Sequence, residues 1–144
     1  MMAMLPGASV AAPADGDWPM PSLDYANTRY SPLHAIDTSS VAALRVEFTF
    51  STGINRGQEA APIVVGDTMY VVTPYPNVVF ALDLGKPGAP LKWKYAPPPL
   101  PAAQGVACCD VVNRGGVYWR GKLIFRTCRR RSPGSCCRHA SARG

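Results

Sequence analysis

Four short runs of apolar and β-branched residues follow one another in the middle of the chain, separated by turn-forming residues. The runs occupy residues 61–65, 68–73, 78–83 and 91–95. Such runs are typical of strands, and the Gly66-Asp67 pair between the first two is a strong hairpin signal. The pattern predicts four antiparallel strands within about 35 residues, each lying beside its neighbour in the sequence.

The strand–turn–strand pattern returns further along the chain. Residues 117–119, a turn at 120–121 and residues 122–127 repeat the pattern that ends at Thr73, and Thr127 takes the equivalent place 54 residues later. A repeated unit of four short strands is typical of a β-propeller blade, for which known repeats run roughly 40–50 residues. We therefore predict an all-β fold of the β-propeller class, with a first blade and the opening hairpin of a second.

The residues before the first strand predict little regular structure. Residues 1–16 lack the basic n-region of a complete signal peptide, and we interpret them as a disordered N-terminus or a signal-peptide remnant. Residues 37–44 predict a short helical turn, with Asp37 or Thr38 as the N-cap. Residues 46–52 alternate between apolar and polar side chains, which predicts a further strand.

The excess of positive charge lies at one end of the sequence. The formal net charge is +6, and the last 19 residues contain six Arg and no acidic residue. Residues 126–144 also contain no Val, Ile, Leu, Met, Phe, Tyr or Trp, so they cannot form a core, and we expect no third strand after Thr127. We interpret them as a basic tail produced by a frameshift near residues 125–128. The alternative is a genuine tail that binds nucleic acid or anionic lipid, whereas the favoured interpretation predicts no nucleic-acid partner.

Two adjacent cysteines, Cys108 and Cys109, lie within the sequence GVACCDVVNRG at residues 105–115. Neighbouring Cα atoms are about 3.8 Å apart, whereas an ordinary disulfide places them roughly 4.4–6.8 Å apart. A bond between neighbours would therefore close a strained ring, and such strain is typical of functional sites. The alternative is two buried thiols, which the pair by itself favours.

Five stretches of the sequence, in the right order, resemble one family. They are residues 24–31 (DYANTRYS), 57–62 (GQEAAP), 66–74 (GDTMYVVTP), 81–93 and 105–115. Together they resemble the amino-terminal part of the large subunit of alcohol dehydrogenases that depend on pyrroloquinoline quinone (PQQ), the methanol dehydrogenase type. The resemblance covers residues 18–125 and implies an eight-bladed β-propeller with one PQQ on its axis. We accordingly assign residues 17–125 to this propeller.

The resemblance implies a set of cofactor-binding residues. Cys108 and Cys109 would form a disulfide that lies against one face of the quinone. PQQ is a tricarboxylate, and Arg114 would bind one of its carboxylates, because a guanidinium matches a carboxylate bidentately. Glu59 would also contact the cofactor, and two facing carboxylates need either a shared proton or a bridging cation, which Arg114 could supply. Trp93 is assigned to packing between blades.

The same resemblance implies a function. Family members oxidise a primary alcohol such as methanol or ethanol to the aldehyde and pass electrons to a cytochrome c in the periplasm. A calcium or lanthanide ion polarises the quinone carbonyl. The family's metal ligands and general base lie in later blades, so we assign no catalytic or metal-binding residue here and expect the chain alone to be inactive.

Other features of the family and other classes of function remain open. A homo-oligomer or a small subunit is expected for the full-length protein. No stretch reaches the ~18 apolar residues of a transmembrane segment. The alternative to an enzyme is a non-catalytic propeller scaffold of the outer-membrane assembly type, built from the same repeats without the quinone. A scaffold would have no use for a quinone-facing cysteine pair, which favours the dehydrogenase.

Overall fold

A computed structural model describes residues 16–99, 101 and 111–127, and the backbone of residues 138–143. The described residues form two antiparallel sheets and one short 3-10 helix, Val41–Ala43. The first sheet contains, in order, β1 (Ile63–Val65), β2 (Thr68–Val72), β3 (Val79–Asp83) and β4 (Leu91–Tyr95). The second contains β5 (Gly116–Trp119), β6 (Lys122–Thr127) and β7 (Arg138–Arg143). The predicted all-β class and the predicted order of the first sheet are confirmed.

Both faces of the first sheet are buried, as its third strand shows most clearly. Successive side chains of a strand point to opposite faces of the sheet. Val79 and Ala81 pack on one face of β3 while Phe80 and Leu82 pack on the other, and all four are buried. The first sheet is therefore a middle layer between two apolar contacts.

The second sheet packs on one face of the first through a shared apolar cluster. The buried members of this cluster are Ala60, Ile63, Tyr70, Val72, Val79, Ala81, Leu123 and Phe125. Trp93 packs against the cluster from β4, directly across from Ala81, which confirms its predicted role in packing. In the second sheet, a Cβ atom on Gly116 would lie 2.9 Å from the carbonyl oxygen of Ile124. Only glycine therefore allows β5 and β6 to approach as they do.

The opposite face of the first sheet is covered by an extended segment. The strand predicted for residues 46–52 is wrong, because these residues pair with none of the described strands. Their alternation instead places Phe48 and Phe50 against the buried side chains of β3, and the rings of Phe50 and Phe80 lie 5.1 Å apart in an edge-to-face arrangement. The alternation of residues 46–52 thus arises because every second side chain packs on the sheet, although the segment is not itself a strand of it.

The helical turn predicted for residues 37–44 is present as the 3-10 helix. The carboxylate of Asp37 accepts hydrogen bonds from the backbone N–H groups of Ser39 and Ser40, at 2.8 Å and 2.9 Å. Hydrogen bonds from the Ser39 hydroxyl and from these N–H groups lower the pKa of Asp37 from 3.8 to about 2. Asp37 therefore anchors the turn before the helix, while Ser40 occupies the N-cap position itself.

The second sheet has one strand more than the predicted hairpin. β7 pairs with β6 along its whole length, from Lys122 opposite Arg143 to Thr127 opposite Arg138. Backbone pairing needs no apolar side chains, so a sequence that cannot form a core can still add a strand. The predicted boundary between residues 125 and 126 also falls inside β6. The predictions for residues 1–15 and for residues 128–137 lie outside the described residues.

Candidate functional site

Two of the four predicted cofactor-binding residues lie side by side where the two sheets meet. Glu59 precedes β1 and Arg114 precedes β5. The Nε atom of Arg114 lies 3.4 Å from Oε2 of Glu59, which makes a salt bridge between residues that are far apart in the sequence. The structure thus brings these two predicted residues together as an ion pair, and their role in binding a cofactor stays a prediction.

A small residue follows each of the two charged residues, Ala60 after Glu59 and Gly115 after Arg114. Gly115 has a φ angle of +96°, which favours glycine over any residue with a Cβ atom. An added Cβ atom there would lie 3.6 Å from the Cβ atom of Ala60 and 3.7 Å from the carbonyl oxygen of Ala61. These are ordinary van der Waals distances, so the positive φ angle, and not a lack of space, favours glycine at this position. Because Gly115 lies this close to Ala60, the two charged residues lie on neighbouring segments.

A buried amide fixes the segment that carries Arg114. Asn113 is 6% exposed. Its Nδ2 atom donates to Oδ1 of Asn77 at 2.8 Å and to the carbonyl oxygen of Arg126 at 2.9 Å, while its Oδ1 atom accepts from the N–H of Gly115 at 2.9 Å. The side chain thus uses both of its donor positions and its acceptor, as a buried amide must to avoid a desolvation penalty.

A second tie joins the same segment to the first sheet. The backbone N–H of Tyr75, in the turn between β2 and β3, donates to the carbonyl of Val111 at 2.8 Å. On the other side of the site, Nε2 of Gln58 donates to the carbonyl of Val72 at 2.7 Å. Both charged residues therefore extend from backbone that is hydrogen-bonded to the first sheet.

The Glu59–Arg114 ion pair is largely exposed to solvent. The side chains of Arg114 and Glu59 are 75% and 46% exposed. Exposed ion pairs contribute only about 0–1 kcal/mol to folding, so this pair adds little to stability. Within the described residues, the two Nη atoms of Arg114 have no hydrogen-bond acceptor. They match the two oxygens of an additional carboxylate, and the pair therefore fits an anionic cofactor such as PQQ.

The remaining predicted site features lie outside the described part of the chain. Cys108 and Cys109 belong to residues 102–110, which the structure does not describe, so their disulfide stays a prediction. Among residues 16–99, 101 and 111–127, no three His, Cys, Asp or Glu side chains come together as metal ligands would. A surface depression of about 280 Å³ lies beside Phe48 and residues 84–89, and none of the predicted site residues lines it.

Sequence reasoning missed the amides that hold the site. Gln58 and Asn113 both lie in stretches that carry the family resemblance, but no role was assigned to either. The available signal was the sequence Asn113-Arg-Gly-Gly, since an asparagine whose side chain bonds the backbone two residues on is typical of a turn. The bond from Asn113 to Asn77 could not be found in this way, because it joins segments that only the tertiary fold brings together.

Comparison of the chain with known proteins shows the family to which it belongs. Residues 18–133 match the family described as glucose/ethanol/alcohol dehydrogenase, beta-propeller domain, with the short name PQQ. The chain is 52% identical over 112 residues to a lanthanide-dependent methanol dehydrogenase of Methylacidiphilum fumariolicum (strain SolV), covering 78% of this chain and 18% of that protein. It is 48% identical over 116 residues to methanol dehydrogenase (cytochrome c) subunit 1 of Paracoccus denitrificans, covering 77% and 18%.

A solved structure shows the same fold. A europium-containing methanol dehydrogenase superposes with a TM-score of 0.75 at 51% sequence identity, covering 79% of this chain and 20% of that one. The chain belongs to the PQQ-dependent glucose/ethanol/alcohol dehydrogenase β-propeller family. It spans about a fifth of the length of the relatives it matches, so the described sheets are part of a propeller. No helix of the described residues is both long and apolar enough to cross a membrane.

Proposed function

We propose that this chain is part of a PQQ-dependent alcohol dehydrogenase that oxidises a primary alcohol such as methanol or ethanol and passes the electrons to a cytochrome c. The observation that carries the proposal is the Glu59–Arg114 pair in a member of this family. The names of two relatives, methanol dehydrogenases of which one is called a cytochrome c type, support the substrate and the acceptor. They favour an enzyme over a non-catalytic scaffold.

In this proposal, the described residues bind and orient the cofactor. The Nη atoms of Arg114 hold one carboxylate of PQQ, and the salt bridge from Nε to Glu59 keeps the guanidinium close to the Glu59 carboxylate. When bound, PQQ supplies the quinone that is reduced as the alcohol is oxidised. The chain's own contribution is to place that group at the junction of the two sheets.

The cysteine pair adds a second contact. We propose that Cys108 and Cys109 form a disulfide against the face of the ring system, a few residues before Arg114. A persistent disulfide needs an oxidising compartment, which supports a periplasmic location. The chain has five cysteines, so the mass must be measured on the proteolytic peptide that contains Cys108 and Cys109, alkylated before and after reduction. Two alkyl groups gained only after reduction would detect a bond between these two residues, and two gained before reduction would contradict it.

The proposal also includes a metal ion beside the cofactor and an assembly with further subunits. A calcium or lanthanide ion would polarise the quinone, and the names of two relatives, a lanthanide-dependent and a europium-containing methanol dehydrogenase, support a lanthanide. We propose that the ligands of this ion and the general base lie outside the described residues, so the chain alone binds cofactor without turnover. A homo-oligomer or a small subunit belongs to the same proposal.

Equilibrium binding of PQQ tests the role of Arg114. Arg114→Ala removes the guanidinium, and loss of a charge-assisted hydrogen bond should weaken binding by at least about tenfold. Arg45→Ala is the matched control, because Arg45 is also an exposed arginine and lies away from the pair. Equal loss in both variants would show that PQQ is attracted only by net positive charge, which would contradict the proposal.

A further inference from the structure

The two segments that carry the charged pair share one arrangement. Glu59 lies between Gln58 and Ala60, and Arg114 lies between Asn113 and Gly115. In each segment an amide side chain that bonds to other backbone precedes the charge, and a small residue in contact with the other segment follows it. Such an arrangement fixes the backbone on both sides of an exposed side chain.

Asn113 makes more bonds than its own turn requires. Its bond to the N–H of Gly115 would be enough to hold a turn. Its other two bonds reach Asn77, between β2 and β3 of the first sheet, and Arg126, in β6 of the second. The segment that carries Arg114 is thus located from both sheets at once, by a side chain that is almost completely buried.

Fixing the backbone matters because the Arg114 side chain is long and mostly exposed, so few contacts of its own restrict it. Arg114 is 75% exposed, and a long exposed side chain on a loose segment would sample many orientations. Binding would then require these orientations to be lost, which weakens affinity. With the backbone fixed, the guanidinium stays near Glu59 before any ligand arrives.

We propose that Asn113 is a positioning residue for Arg114, which it holds in place to present the guanidinium to Glu59 and to a cofactor carboxylate. The inference about the cofactor rests on the proposed function, whereas the inference about Glu59 does not. Asn113 acts through the backbone and touches neither charged side chain. The effect of replacing Asn113 on cofactor binding must therefore depend on the presence of Arg114.

The first experiment needs no cofactor and uses the 15N NMR signal of the Arg114 Nε–H group. Glu59→Gln should move this signal in the wild-type chain, because the ion pair is lost. In Asn113→Ala the same substitution should move it much less, because the pair is no longer formed. Val117→Ala, a truncation in β5, is the control and should leave the full response. A full response in Asn113→Ala would overturn the proposal.

The second experiment measures PQQ binding in a double-mutant cycle. Asn113→Ala should weaken binding about tenfold in the wild-type background and should have no further effect in Arg114→Ala. Equal weakening in both backgrounds would show a merely structural role and overturn the proposal. If the wild-type chain does not bind PQQ, the proposed function fails, and the NMR experiment still decides the role of Asn113.

A milder variant covers the case in which Asn113→Ala does not fold. Asn77→Gly removes one acceptor of the Asn113 amide, and the φ angle of +63° at residue 77 suits glycine. This variant should reduce the response of the Arg114 signal to Glu59→Gln in the same direction, by a smaller amount. An unchanged response in folded Asn77→Gly would contradict the proposal.

Discussion

Truncating one leucine tests whether the two sheets fold as a single unit. Leu123 in β6 is 0% exposed and belongs to the cluster shared by both sheets. Its neighbour Ile124 points to the other face of the same strand and is only half-buried. The two residues have the same number of carbon atoms, so Leu123→Ala and Ile124→Ala remove equal amounts of side chain from unequal environments.

The expected difference follows from burial. Leu123→Ala removes three carbon atoms, about 2.4 kcal/mol at roughly 0.8 kcal/mol each, and the cavity left between the sheets raises the loss to about 3–4 kcal/mol. Ile124→Ala loses about 1 kcal/mol, because its side chain is half in water and leaves no closed cavity. With a urea dependence of about 1–3 kcal/mol per M, the Leu123→Ala midpoint should be about 1 M or more below that of Ile124→Ala.

Urea unfolding followed by both far-UV circular dichroism and tryptophan fluorescence makes the measurement. Trp18 and Trp119 are replaced by phenylalanine in every variant, so that the fluorescence comes from Trp93 alone. Trp93 belongs to the first sheet, so its signal reports whether damage in the second sheet is transmitted across the cluster. We expect both signals to shift together in Leu123→Ala. Equal midpoints for the two variants, or a Trp93 signal that does not respond, would refute a shared core.

Two further predictions concern single positions. Gly115→Ala places a Cβ atom at a φ angle of +96° and should lower the free energy of unfolding by about 1–3 kcal/mol, measured by the same urea titration. Gly57→Ala is the control, because an added Cβ atom there meets nothing within 4 Å at an ordinary φ angle, and equal losses in the two variants would contradict the prediction. Asp37, whose folded pKa is about 2 against an ordinary 3.8, should contribute stability that is complete above pH 3.8 and lost as the pH falls towards 2. An NMR titration of its carboxyl carbon with a midpoint near 3.8 would contradict the second prediction.

The strands were predictable from the sequence because their signals are local. β-branched runs and turn residues such as Gly66 determine where each strand of the first sheet begins and ends, and β4 has the predicted bounds, residues 91–95. Residues 46–52 show the limit of that reasoning, because a period of two cannot distinguish a paired strand from an extended segment that packs two phenylalanines. β7 was missed for a related reason, since composition predicts a core and not backbone pairing.

Half of the described site could be predicted, and tertiary contacts account for the rest. Arg114 was found because a guanidinium matches a carboxylate ligand and its stretch resembles a family, whereas Glu59 was found from the resemblance alone. Asn113 was not, because its partners Asn77 and Arg126 lie on different sheets. A buried amide that hydrogen-bonds to distant elements cannot be recognised from the residues next to it in the sequence.

A structure of this chain determined with PQQ bound tests the central claim most directly. We expect one carboxylate of PQQ to lie about 2.7–2.9 Å from an Nη atom of Arg114, with the salt bridge between Nε and Glu59 still in place. PQQ bound elsewhere on the chain, with Arg114 and Glu59 paired only to each other, would contradict the claim that this pair is a cofactor-binding site.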